Sequence, residues 1–168
     1  MKTKLKLGGT FTFEHIRDGK VIDVWEEDNL VVDEGLEYSL GVAFDGSTAP
    51  VTAWYVGLFT GNYTPTASDT AATFPAAANE TTAQYSEGLR PAWVEAGVSS
   101  KTIGNTASTA VFTFVPASTF VYGSFLASDA SKGGTSGILA AASRFSTVRT
   151  MLASDILNVS YSLSVAAA

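Results

Sequence analysis

The chain of 168 residues contains no cysteine and a single histidine, His15. Without cysteine there is no disulfide framework, no thiolate metal site and no cysteine nucleophile. With one histidine there is no His-pair metal site, and only one residue could act as the base of a triad. Charge is scarce as well. Asp, Glu, Lys and Arg make up 15% of the chain, against about 25% in an ordinary soluble domain. The balance is acidic, with 16 Asp and Glu against 10 Lys and Arg, a net of −6. A general affinity for nucleic acid needs a basic patch that releases counterions, so nucleic acid is not an expected partner. Long apolar runs are missing too. The largest clusters, Ala53–Phe59 and Ile138–Ala142, are strand-sized. They fall far short of the ~20 residues of a membrane helix, so no membrane is expected. Met1–Leu7 alternates lysine with apolar residues and runs into Gly8-Gly9. A secretory leader needs an unbroken apolar stretch of about 7–15 residues and is not expected here.

What is present is apolar and alternating. Hydrophobic residues reach 46%, which excludes disorder of the whole chain. A chain of this length buries roughly 70% of its unfolded surface, enough for one real core. The C-terminus shows the clearest period of two. Leu157, Val159, Tyr161, Leu163 and Val165 share one face, and Asn158, Ser160, Ser162 and Ser164 share the other. That is a strand with one buried and one wet face. Phe112, Phe114 and Phe125 are expected in the same core, and Leu163→Ala is expected to cost about 2–5 kcal/mol. Thr10–Ile16 and Val21–Glu27 alternate around Asp18-Gly19, a pair that tolerates the positive φ angles of a tight hairpin. Ala53–Thr60, Ala110–Val115, Thr119–Ala127 and Gly137–Phe145 read as further strands, with Ala92–Val98 a shorter one.

One helix is expected after the hairpin. Asp33 would cap it, Glu34 and Glu37 favour its N-terminus, and Val32, Leu36, Leu40 and Phe44 recur at helical spacing. Gly61–Ala83, rich in Thr, Ala and Ser, reads as a long surface loop. Acidic residues are unevenly placed, with ten of the sixteen between Glu14 and Asp45, and Lys2, Lys4 and Lys6 lie just before them. The fold expected is all-β: an antiparallel β-sandwich, jelly-roll-like or immunoglobulin-like, with an N-terminal β-hairpin and one short helix. Residues 1–29 would form a hairpin arm and residues 30–168 the sandwich domain. An isolated hairpin is only marginally stable. The arm therefore either lies on a neighbouring subunit or joins the sandwich as two more strands. On the first reading, a chain starting near Leu30 stays folded.

No constellation demands chemistry. His15 could be a general base or a plain sheet residue. Glu26-Glu27-Asp28, with Asp33 and Glu34, lacks the spacing of a calcium loop. Glu87, Glu95 and Asp129 could pair as glycosidase carboxylates, but they lie on different elements. Trp54, Tyr55, Tyr85 and Trp93 could form a sugar platform or serve as core anchors. There is no G-x-S-x-G elbow and no phosphate loop. The expectation is a protein that is not an enzyme, with no catalytic residue, no cofactor and no metal.

Four segments resemble small tailed-bacteriophage virion proteins. Asn29-Leu30-Val31-Val32-Asp33-Glu34-Gly35-Leu36 is similar to an N-L-V-x-[DN]-E-G-L segment of that group. Ala53-Trp54-Tyr55-Val56-Gly57-Leu58-Phe59 resembles a W-Y-V-G-L strand. Tyr85–Trp93 resembles Y-S-E-x-x-R-P-x-W, and Gly123–Ser128 through Lys132–Thr135 resembles G-x-F-L-x-S…K-G-G-T. The resemblance implies a virion structural protein whose size suits a capsid decoration (cement) protein. Such a protein sits on the capsid surface after synthesis in the host cytoplasm. Its implied partners are the major capsid protein and copies of itself as a homo-oligomer. A tail or head-fibre component that recognises a host receptor or glycan is the alternative. The residues expected at the interface are Phe11, Phe13, Val24, Trp25, Glu26, Glu27, Arg90 and Trp93.

Overall fold

The computed structural model describes residues 4–167; Lys2, one of the N-terminal lysines, lies outside them. Two antiparallel sheets face each other, so the fold is an all-β sandwich. The first sheet runs β2 (Lys20–Asp28), β1 (Leu5–Arg17), β10 (Ile156–Ala167), β6 (Thr102–Gly104), and β7 (Ala110–Thr113) also pairs with β10. The second runs β3 (Leu30–Val31), β9 (Leu139–Met151), β8 (Thr119–Ala127), β4 (Trp54–Phe59), β5 (Ala92–Trp93).

The hairpin forms where the sequence places it. Asp18 and Gly19 both take positive φ, 51° and 73°, and close Arg17 onto Lys20. Two positive φ angles in succession match the right-handed twist of the flanking strands. It is not an arm. β1 pairs with β10 from Leu5↔Ala167 to Ile16↔Ile156 while holding β2 on its other edge. The boundary expected after residue 29 is therefore absent: β1 is an interior strand of the sandwich.

The inner faces build one core cluster. Phe11, Phe13, Leu157, Val159 and Tyr161 of the first sheet meet Val56, Leu58, Val121, Leu126 and Phe145 of the second. The alternation of β10 fails only at its end. Leu163 is half-buried and Val165 is exposed, because the end of β10, beside Leu7 near the start of β1, flanks an open groove. The cost expected for Leu163→Ala moves accordingly to Leu157→Ala, at about 2–5 kcal/mol, with Leu163→Ala under about 2 kcal/mol. Urea unfolding of the two variants measures this order directly, and a larger loss at Leu163 would contradict it.

A second cluster covers the outer face of the second sheet. Phe59, Phe125, Ala127, Leu139 and Ala142 pack under Ala71, Phe74 and Ala78. Phe125 thus belongs to this layer and not to the inter-sheet core. The segment Gly61–Ala83 is likewise not a surface loop. It contains a short helix, α2 (Phe74–Ala77), whose Phe74 ring meets Phe125 at 5.2 Å and Phe59 at 5.6 Å. Few large apolar residues were enough, because Phe74 alone fills the space between the two sheet aromatics.

The helix expected after the hairpin is α1 (Asp33–Phe44). Its N-cap is Val32, and no side chain caps it. Asp33 instead donates its N–H to the Ala67 carbonyl at 2.8 Å. Gly35 is the buried residue of the helix, and a Cβ there would run into the Ala140 backbone. Glu34 locks this contact by accepting the N–H groups of Leu139 at 2.6 Å and Ala71 at 2.8 Å. The Glu-Gly pair is therefore a joint between α1, β9 and the segment before α2.

Candidate functional site

Of the eight residues expected at an interface, five are inside the protein. Phe11 and Phe13 are fully buried, and Trp25 and Trp93 nearly so. Phe11 stacks on Tyr161 at 4.3 Å, Phe13 on Trp25 at 5.0 Å and against Phe145 at 4.7 Å. The Trp93 indole donates Nε1–H to the Tyr161 carbonyl at 3.0 Å. The location of Phe11 and Phe13 follows from β1 being interior, with its inward side chains facing the other sheet, and Trp25 and Trp93 point into the same core from β2 and β5. The sugar platform goes with them, since Tyr85 and Trp93 are buried and Trp54 sits edge-on to Tyr38 at 5.5 Å.

Arg90, the fifth, is 2% exposed and acts as an internal clamp. Its Nε and Nη2 donate to the two carboxylate oxygens of Glu80 at 2.8 and 2.7 Å. Nη1 donates to the Asp129 carbonyl at 2.7 Å and Nη2 to that of Gly134 at 3.0 Å. Glu80 also accepts the Gly133 N–H at 3.0 Å. The R-P and K-G-G-T segments are thus held together by one ion pair with almost every lone pair and proton engaged.

Val24, Glu26 and Glu27 occupy the edge strand β2. Val24 is 57% exposed. Glu26 accepts a hydrogen bond from Thr12 at 3.3 Å on the outer face. Glu27 reaches across to β9, accepting the Ser146 N–H at 2.7 Å and its hydroxyl at 2.8 Å. Arg149 donates to Asp23 at 2.6 Å beside it. Part of the acidic run therefore stitches β2 to the facing sheet. Two of the three carboxylates considered for glycoside chemistry are engaged in backbone as well, while Glu95 is exposed. Glu87 accepts the Thr113 N–H with both oxygens at 3.1 Å, and Asp129 accepts the Ser131 N–H at 2.8 Å.

His15 belongs to a buried carboxylate hub that the sequence does not announce. Its Nε2 lies 2.7 Å from Asp155 Oδ2, and the Arg17 guanidinium grips both Asp155 oxygens at 2.8 and 2.7 Å. The Leu152 N–H donates to the same carboxylate at 2.7 Å. Burial opposes ionisation of Asp155. The hydrogen bonds from Arg17, Leu152 and His15 outweigh it and hold the carboxyl far below the usual carboxylate range. Between the unfolded value, about 3.9, and the lower folded one, only the unfolded chain takes up the proton. Stability from Asp155 is thus complete above the unfolded value and is lost as pH falls below it. Asp155→Asn is expected to lower the urea midpoint at pH 7 and to flatten its fall from pH 4 to pH 2. Parallel midpoint curves for the two proteins would remove Asp155 from the acid response.

The side chains left uncovered are apolar and lie elsewhere. Leu5 is 74% exposed, Val98 75%, Leu40 61% and Phe44 83%. Beside α1 a groove of about 520 Å³ runs between Lys6, Leu7 and Gly8 of β1, Asp28 to Val31, and Leu36 of the helix. The spacing of Leu36, Leu40 and Phe44 is visible in the sequence and marks the helix, but it does not say which way the stripe faces. The overlooked signal is Gly35: a helix that docks through a glycine turns its bulky residues away from the body. Among the described residues, no group of three or more His, Asp or Glu side chains is placed to hold a metal ion. Among the described residues, no helix is long and apolar enough to cross a membrane. Neither a known protein family nor any curated protein matches this chain.

Proposed function

We propose that this protein is a bacteriophage virion structural protein of the capsid decoration type, which binds the head lattice and bridges its subunits. One observation carries the reading: large apolar side chains remain on the surface of a chain that is poor in charge. Leu40 and Phe44, one turn apart on α1, cost solvation as long as they face water, as do Leu5 and Val98 elsewhere on the surface, and large apolar side chains left exposed together mark a contact with another protein. The resemblance to tailed-phage virion proteins supports the same reading. Its segments fall on the Glu34-Gly35 joint and the Arg90 clamp, so what they share is a scaffold for presenting a surface. The major capsid protein and further copies of this chain are the partners proposed, at the capsid surface.

The test is a cryo-EM map of the phage that encodes the protein. The expected result is density for the sandwich repeated over the head lattice in many copies. Density confined to a tail tip or a single vertex would move the protein to the fibre class. Its absence from the particle would end the virion reading.

A further inference from the structure

We propose that the free edge of β1 at Leu5 and Leu7 takes an added strand from the head protein, an extended segment that alternates acidic and apolar residues. Strand addition here rests on the virion reading and gives the contact with the head its place and its chemistry.

β1 is interior for most of its length but not at its start. β2 stops at Asp28, opposite Thr10, whereas β1 begins at Leu5. In a strand the main-chain groups turn alternately to the two sides. Gly9 turns its pair toward β2, where its carbonyl accepts the Asn29 N–H at 3.2 Å and its N–H donates to Asn29 Oδ1 at 2.6 Å. Leu7 and Leu5 turn theirs the same way and, among the described residues, meet no strand there. β10 leaves them free as well, since Val165, opposite Leu7, gives its N–H to the Lys101 carbonyl on its far side. The groove of about 520 Å³ runs along this edge, with Asn29 to Val31 and Leu36 as its far wall. A row of free N–H and C=O groups beside an open slot is the template for an added strand.

The side chains of β1 set what that strand carries. Leu5 and Leu7 share the inner face with Phe11 and Phe13, and Lys4 and Lys6 share the outer face with Thr10 and Thr12. Leu5 is 74% exposed, because the inter-sheet core ends before it. Lys4 and Lys6 are exposed, and among the described residues neither is in an ion pair. A strand laid beside them sets alternate residues against the leucines on one face and against the lysines on the other. Opposite charges across such a pair are favourable and like charges are not, so the matching strand is apolar inside and acidic outside. A second copy of this edge is a poor match, because its own lysines would face Lys4 and Lys6. Asp28 stands at the closed end of the groove, its carboxylate on the Thr10 hydroxyl at 3.4 Å. It lies four residues along the strand from Lys6, so the acidic positions belong at the lysine end. Of α1 only Leu36 lines the groove; Asp33 and Glu37 do not. The contact is short, as Leu5 to Gly9 spans roughly 17 Å, and weak singly, but repeated copies on a head lattice add.

The probe is a blocked seven-residue peptide alternating valine and glutamate, titrated into the isotope-labelled full chain. It is expected to bind with a Kd on the order of 100 μM, the weak end suited to so small a contact. The Leu5 and Leu7 amides should shift and exchange more slowly. Peptide with alternate backbone nitrogens methylated should not bind. Lys4→Glu with Lys6→Glu should weaken the glutamate peptide about tenfold and favour the same peptide with lysine in place of glutamate. Leu7→Pro should keep the melting temperature, since its N–H has no partner inside the fold, and lose the peptide. No binding to the wild type, equal binding of the methylated peptide, or indifference to the charge reversal would each overturn the proposal. So would a wild-type dimer that Leu7→Pro dissolves, which would make a second copy the occupant. Particle binding separates this failure from that of the function. A charge-reversed chain that still decorates heads loses the strand addition alone, whereas a chain that takes the peptide but is absent from heads loses the virion reading alone.

Discussion

A chain beginning at Leu30 is expected not to fold. Removing the residues before it deletes β1 and β2, and with them Phe11, Phe13 and Trp25 from the inter-sheet core. Each Phe→Ala change in a packed core costs about 3–5 kcal/mol, and a domain has only about 5–15 kcal/mol in total. The loss of two phenylalanines and a tryptophan, about 9–15 kcal/mol together, takes up most or all of that margin. The deletion also strips β10 of its long partner, leaving the edge from Ile156 to Ala167 unpaired and Tyr161 without the ring of Phe11. The measurement is a melt followed by circular dichroism, with Phe13→Ala in the full chain as a graded control. A cooperative transition in the truncated chain would show that β1 is dispensable, as an arm would be.

The second large effect is expected at the Arg90 clamp. Arg90→Met should destabilise by roughly 3–5 kcal/mol, the cost of leaving one member of a buried ion pair alone. The side chains of Arg90 and Glu80 are each 1% exposed, so water cannot take over the abandoned carboxylate. The Asp129 and Gly134 carbonyls lose their donors in the same step. Replacing both charges, Glu80→Leu with Arg90→Met, should recover much of the loss, because apolar pairs of similar volume often replace buried ion pairs at little cost. A double-mutant cycle in urea reads the coupling. A single-variant loss below 1 kcal/mol would mean that the pair is open to water or easily rearranged.

The two cases mark different limits of sequence reading. Arg90 reads in the sequence as a cation that could pair with an acidic residue of its own chain or of a neighbour, and Glu80, ten residues earlier, lies in a segment that reads as a loop. Only the fold brings the loop after β8 around both. Asp155 is the same kind of case: its partners His15 and Arg17 lie at the other end of the chain and reach it because β1 and β10 are neighbours. Ion pairs across such separations leave no local pattern, since either charge would be equally at home in water.

Period-two alternation and turn chemistry are local, and they alone determined that this chain is a β-sandwich with a tight hairpin at Asp18-Gly19. Alternation tells which side chains share a face of a strand. It does not tell what lies against that face. Phe11, Phe13, Trp25 and Trp93 were therefore legible as anchors but not as anchors of their own core, because a strand is interior or peripheral only through its neighbours in the sheet. The helical repeat of Leu36, Leu40 and Phe44 carried the opposite ambiguity. It marked an apolar stripe, and tertiary structure turned that stripe outward by docking Gly35, the residue with no side chain, against β9. Direction of burial is a relation between elements, and it was decided where the sheets and the helix met.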